Sequence, residues 1–220
     1  MPLYADAGRG AALNYLAGKT DDGDDAAVRG WLKRLPQPGG WPVPQAGMWF
    51  NGYGSAGGTI AVTLDRLVLR PFGLPAFTRV DRISVEAATG AANAVMRLGL
   101  YRFSDNFSTL NLVVDAGTVS VSSSGAKAVS FSPLALRPGF YMTAACNQTA
   151  SAGTLRCHAN TEIPSWTSFL PRPSQSVAYT TSVICGYYVD GVTGAFASSL
   201  SWASVSTTSS SVPGVLLRTA

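Results

Sequence analysis

The sequence predicts an all-β fold, an antiparallel β-sandwich of jelly-roll-like character, preceded by a short N-terminal helical segment. Three observations carry the prediction. From residue 58 onward, apolar and polar residues alternate with the period of a strand rather than that of a helix. Glycine, proline, asparagine and aspartate interrupt the alternation roughly every eight to fifteen residues, the spacing of short strands in a sandwich or barrel. Finally, only 13% of the 220 residues are charged while 46% are hydrophobic, and there are 23 glycines. Soluble domains usually carry about a quarter charged residues, so the polar surface must be built from Ser and Thr instead.

The N-terminal part is different. In "YADAGRGAALNYLA" (4–17) Ala7, Ala11, Ala12, Tyr15 and Leu16 can share a helical face, although Gly8 and Gly10 each cost about 1 kcal/mol there. The acidic turn "GKTDDGDD" has neither the ligand spacing nor the distal glutamate of a calcium loop. It reads better as a helix start, with Asp24 or Asp25 capping the next segment. That segment, "DAAVRGWLKRL", places Val28, Trp31, Leu32 and Leu35 on one apolar stripe, with Lys33 and Arg34 in its last turn and Pro36 as its stop. It falls below the roughly 12–15 residues a helix needs to persist alone in water. The stripe must therefore be buried, either on the chain's own β-domain or on another copy or another protein. Val28, Trp31, Leu32 and Leu35 are the candidate docking residues.

"LKRLPQPGGWPVPQ" (32–45) follows, with prolines at 36, 38, 42 and 44. Proline at this density favours extended backbone and makes a semi-rigid spacer. The expected organisation is a helical docking segment over 1–35, a Pro/Gly-rich linker over 36–50 and a β-sandwich head over 51–220. Trp41 and Trp49 flank the linker and are expected to pin it.

The strands are expected in order. Residues 58–72 alternate around Ile60, Val62, Leu64, Leu67 and Leu69. Residues 78–89 do so around Val80, Ile83 and Val85, with an irregularity at Asp81-Arg82. Strands follow at 94–103, at 110–123 with a turn or bulge at Asp115–Gly117, and at 126–136. An aromatic strand enters through Pro138-Gly139, a pair suited to a tight turn. Residues 153–160 are a candidate hairpin partner for it. Residues 176–185, 187–193 and 212–219 complete eight to ten strands.

Little in the sequence suggests reaction chemistry. The single histidine, His158, lies near an expected hairpin tip. "GYGSAGG" (52–58) has no strand before it and no helix after it, as a nucleophile elbow would need. It has no Lys-Ser/Thr pair and so is no phosphate loop. The chain is expected not to be an enzyme and to need no cofactor or metal. The net charge of +4 is scattered over arginines such as Arg66, Arg70, Arg97 and Arg102, which argues against nucleic acid as a partner. Three cysteines, Cys146, Cys157 and Cys185, form no regular framework. Buried free thiols are expected, with a Cys146–Cys157 bridge as the alternative. The opening residues lack a basic and then an apolar region, and no apolar run reaches the roughly 18–20 residues of a membrane span. The expectation is a soluble protein made in the cytoplasm, in which the sequons at Asn106 and Asn147 carry no sugar. Trp166, Trp202, Tyr187 and Tyr188 are the aromatic candidates for contact with a surface glycan. Packing of the tryptophans in the core or in a subunit interface is the competing reading.

One stretch resembles a known group. "VMRLGLYRF…LNLVVDAGTVSVSSSGAKAVSFSPLALRPGFYMTAA" is similar to the β-sandwich heads of tail-fibre and minor tail proteins of bacteriophages that infect Actinobacteria. Arg97–Tyr101, Asp115–Val119, Gly125 and Leu136–Tyr141 carry the likeness, over roughly residues 78–146. The resemblance implies a virion structural protein, a tail-fibre or tail-tip component whose head contacts the host surface. The alternative it leaves is a capsid decoration or head-fibre protein. A free carbohydrate-binding module or lyase is a third class. The resemblance further implies a homotrimer whose partners are its own copies, other virion proteins and a host cell-surface glycan; the scattered charge and the short apolar runs separately lead to the expectation of no nucleic acid and no membrane insertion. A surface poor in charge fits subunit contact too, since charges are depleted at interface cores.

Overall fold

The computed structural model describes residues 46–50, 57–74, 76–158 and 186–220. Among them fourteen strands form two sheets. The first contains β1 (Trp49–Phe50), β2 (Gly58–Ala61), β4 (Thr78–Thr89), β7 (Gly125–Leu136), β9 (Thr154–His158), β13 (Val212–Pro213) and β14 (Val215–Thr219). Its order is β1-β14-β4-β9-β13, with β2 along β9 and β7 along β4. The second contains β3 (Leu67–Leu74), β5 (Val95–Phe103), β6 (Thr109–Ser120), β8 (Gly139–Asn147), β10 (Gly186–Val189), β11 (Ser199–Ser201) and β12 (Ser206–Thr208), ordered β11-β6-β5-β8-β3-β10-β12. Every pairing of these strands is antiparallel. The fold is the all-β sandwich that the alternation and turn spacing predict.

From β3 to β9 the chain changes sheet at each connection except the β5–β6 hairpin. This overturns one expectation. Residues 153–160 do not form a hairpin with the aromatic strand: β9 pairs with β2, β4 and β13 in the opposite sheet. Likewise the stretch 58–72, which alternates as one run, breaks at Thr63–Arg66 into β2 of the first sheet and β3 of the second. Two sandwich layers need such corners, and the apolar pattern changes its facing there: Val62 enters the core between the sheets, whereas Leu67 and Leu69 face a second cluster on the outer side of the second sheet.

That core lies between the sheets. Val68, Phe72, Leu98, Leu100 and Tyr141 of the second sheet meet Val80, Ile83, Val85, Leu155 and Leu217 of the first. Full burial of such side chains stabilises by about 1.5–3 kcal/mol each relative to exposure. Phe72 stacks on Tyr141 at 5.6 Å, and the Tyr141 hydroxyl donates to the Arg137 carbonyl at 2.7 Å. A second cluster covers the other face of the second sheet. Leu67, Leu69, Tyr101, Phe103 and Met142 lie under Phe196, Trp202 and Val205, which the returning chain lays across them. The central strands are therefore buried on both sides. This explains why Tyr141–Asn147 reads as an unbroken buried run rather than an alternation.

Two bulges re-aim strands at sequence irregularities. Leu98 pairs with Gly117 and Gly99 with Asp115, which leaves Ala116 as the extra residue. Gly117 takes φ +87°, where a side chain would be strained. In β4, Val80 pairs with Leu134 and Arg82 with Ser130, so Asp81 alone faces Phe131–Pro133. A bulge is one of the few places a sheet tolerates proline, which cannot donate to the ladder. Arg218 closes on Asp81 through two hydrogen bonds, Nε to Oδ1 at 2.9 Å and a shorter one from Nη2 to Oδ2.

The docking residues Val28, Trp31, Leu32 and Leu35, the helical segment over 1–35, Trp41 and the strand expected at 176–185 lie outside the described residues. Trp49 and Phe50, within the expected linker, pair with Arg218 and Leu217 at the edge of the first sheet.

Candidate functional site

The corner between β2 and β3 is built from hydrogen bonds that the local sequence supplies. Asp65 sits in the left-handed region at φ 55°, a conformation aspartate accepts better than most residues. Its N–H donates to the Asn147 carbonyl at 2.8 Å, and the Arg66 N–H donates to Thr63 at 3.2 Å. Buried Asn147 returns the contact by donating Nδ2 to the Val62 carbonyl at 3.0 Å. The Val192 N–H donates to the Asp65 carbonyl at 2.8 Å, which ties the corner to the chain leaving β10. The turn is thus held by β8 and by the chain leaving β10, both of the second sheet, and it fixes where Arg66 emerges.

Beside this corner an open cleft of about 370 Å³ lies between β2 of the first sheet and the β10–β12 end of the second. Thr59, Ile60 and Thr63 line one side, and Tyr188, Thr208, Ser210 and Ser211 the other, with buried Val62 and Val68 between them. Arg66 also lines it. Its Nε donates to Asp190 Oδ1 at 2.6 Å and its Nη2 to Oδ2 at 3.2 Å. The guanidinium carbon lies 4.3 Å from the centre of the Tyr188 ring. The hydrogen bond to Asp190 raises the Arg66 pKa above its ordinary value. A tyrosine, a cation stacked on it and a paired carboxylate form one wall, and each restrains the next. An exposed cation–π contact contributes about 0.5–1 kcal/mol and an exposed ion pair about 0–1 kcal/mol, so the two hold the wall to a similar degree.

The aromatic candidates for glycan contact separate. Tyr188 lines the cleft and is half-buried. Tyr187, its neighbour in β10, points to the opposite face and is fully buried. Trp202 is buried as well, at 4% exposure, with its ring centroid 4.7 Å from Tyr187 and 4.9 Å from Phe103. As a surface contact Tyr187 is therefore corrected, and for Trp202 the reading of a tryptophan packed in the core is the one the structure shows: both pack the outer face of the second sheet. Trp166 lies outside the described residues.

Arg66 and Asp190 escaped the sequence reading as a site. They stand 124 residues apart, and no local pattern joins them. The serines and threonines of 206–211 gave no apolar alternation, so β12 was not foreseen either.

Other titratable groups are engaged elsewhere. His158, expected near a hairpin tip, is instead buried in β9. Burial, with the nearby charge of Arg70, lowers its pKa to about 4, so the ring is neutral at neutral pH. Arg97 and Asp115 form a half-buried ion pair, and Arg156 lies 3.7 Å from Glu86 at the surface. Cys146 and Cys157 are buried in different sheets and form no disulfide with each other, which removes the bridge considered as an alternative. Among the described residues no three His, Cys, Asp or Glu side chains gather as a metal site would require. The arrangement of the cleft suits reversible binding: hydroxyls, one aromatic ring and a neutralised ion pair.

No protein-family model matches the chain, and no curated protein matches it significantly in sequence.

Proposed function

We propose that this chain is a non-enzymatic structural protein of a phage particle, a tail-fibre or tail-tip component. Its sandwich is displayed outward, and the cleft between β2 and β12 meets the host surface. The resemblance of one stretch supports the reading. The stretch whose sequence is similar to phage fibre heads, roughly 78–146, corresponds to β4 through β8, the continuous framework around which both sheets are built. The likeness thus falls on the part of the chain that sets the architecture. The cleft supports display for contact, since it opens at the sandwich edge and its ion pair acts as a fixed hydrogen-bonding wall.

In this reading residues 1–35 dock the head onto the particle and 36–50 act as the strap. Deleting 1–35 should leave a folded sandwich that no longer joins particles. A truncated chain that still assembles normally removes the docking role. Trp31→Ala in the full chain should weaken incorporation, as a central buried aromatic often dominates an interface.

A further inference from the structure

We propose that the cleft between β2 and β12 is a binding site for a neutral saccharide, one or two pyranose rings long, gripped by Tyr188, Thr208 and the Arg66–Asp190 pair. This rests on the cleft being the contact surface of the proposed function, and it names what that surface takes.

Charge decides first. The charged residue in the lining is Arg66, and Asp190 neutralises it through two hydrogen bonds. A phosphate or carboxylate that approached Arg66 would meet a guanidinium already paired with the Asp190 carboxylate just beyond the lining. Like charges that close are unfavourable, so the pair selects against anions. The same pair leaves other guanidinium hydrogens and carboxylate lone pairs free to meet hydroxyls.

Polarity decides next. Thr59, Thr63 and Ser210 each offer one donor and two acceptor lone pairs, and Thr208, whose Oγ1 accepts the Ser210 N–H at 3.1 Å, offers its donor and one lone pair. A hydrocarbon ligand would strip water from these groups without replacing its hydrogen bonds, at about 1–3 kcal/mol for each group left unsatisfied. A polyol replaces them. Ile60, Val68 and the Tyr188 ring supply the apolar surface that the C–H faces of a pyranose need. The volume, about 370 Å³, lies at the low end of the roughly 300–1,000 Å³ of small-molecule sites. It suits a short glycan end rather than a long chain.

Preorganisation is the last support. The corner carrying Arg66 is hydrogen-bonded to Asn147 and Val192, and Tyr188 is fixed in register opposite Val68. A ligand need not order these groups on arrival, which limits the entropic cost of binding.

The test titrates the full-length chain with glucose, galactose, N-acetylglucosamine and the disaccharides maltose, lactose and chitobiose, followed by saturation-transfer NMR and calorimetry. Glucuronate serves as the anionic control. At least one neutral sugar should bind in the millimolar range or tighter. Tyr188→Ala, Thr208→Val and Asp190→Ala should each weaken it by about tenfold or more, with the unfolding midpoint little changed. The proposal is overturned if no neutral sugar binds at tens of millimolar. Binding that all three variants leave intact overturns it too, since the sugar then sits elsewhere, as does tighter binding of glucuronate than of any neutral sugar. These failures are separable from failure of the particle reading, which is measured by the protein's presence in purified particles.

Discussion

Arg97 and Asp115 face each other across β5 and β6, with Arg97 Nε 2.9 Å from each carboxylate oxygen. The same carboxylate accepts the Gly117 N–H and the Phe196 N–H, each at 3.0 Å. One side chain therefore holds the β6 bulge, the neighbouring strand and the segment that covers the second core. Asp115→Ala should destabilise the chain by about 3 kcal/mol, because it leaves a half-buried guanidinium and two backbone donors without this partner. Asp115→Asn keeps acceptor capacity and should cost less. Urea unfolding of the two variants checks the order; equal, negligible losses would show that the hub is dispensable.

Gly99 marks a close approach. A Cβ there would fall 2.8 Å from the Phe196 ring and from the Val114 carbonyl oxygen. Backbone and a buried ring cannot both retreat, so Gly99→Ala should cost about 1–3 kcal/mol by overpacking. The damage should centre on the cover of the second sheet, seen as earlier proteolysis near residues 190–205 than in the parent protein. Wild-type stability and cleavage in the variant would contradict the packing described.

Stability should fall in acid, in two stages. The folded pKa of His158, about 4, lies below the ordinary value of 6.5, because of burial and the charge of Arg70. Between those values the unfolded chain binds more protons. The His158 contribution is therefore full above about pH 6.5 and lost as the pH falls toward 4, by up to about 3 kcal/mol. Asp81 is held below its ordinary pKa by its hydrogen bond to Arg218. Its contribution is present above the unfolded carboxylate pKa and lost as pH falls through the lower folded one. Melting curves of His158→Leu against pH should lose the upper part of the slope and keep the lower part. A slope between pH 6.5 and 4 identical to that of the parent would refute the assignment.

Cys146 should be inert in the native state. Burial is the main reason its thiol pKa rises to about 12, and the Sγ–H donates to the Val192 carbonyl at 3.4 Å. Only the thiolate is a strong nucleophile. In a Cys185→Ser background, Ellman's reagent should find no fast-reacting thiol until denaturant is added, when Cys146 and Cys157 both react. One rapid native equivalent would contradict the burial.

Much of the fold was legible because it rests on local signals. The alternation of β4 and β5, the irregularity at Asp81 and the bulge at Asp115–Gly117 all follow from neighbouring residues. What failed was long-range. The β8–β9 hairpin is a reasonable reading of two adjacent strands, yet the chain crosses to the other sheet there, a choice set by layer packing. Tyr187 illustrates a related blind spot. Aromatic residues in Ser/Thr-rich surroundings suggest a surface, and nothing nearby signals that residues 190–205 bury a second face. The cleft was the least visible feature, because Arg66 and Asp190 meet only once both sheets are formed.

The most direct measurement of the central claim is quantitative mass spectrometry of density-purified phage particles from cells that produce this protein. The account predicts that the chain co-purifies at a fixed, low copy number, set by the symmetry of a tail tip, and that removing residues 1–35 abolishes its incorporation. A chain found only in the soluble fraction, absent from intact particles, would contradict it.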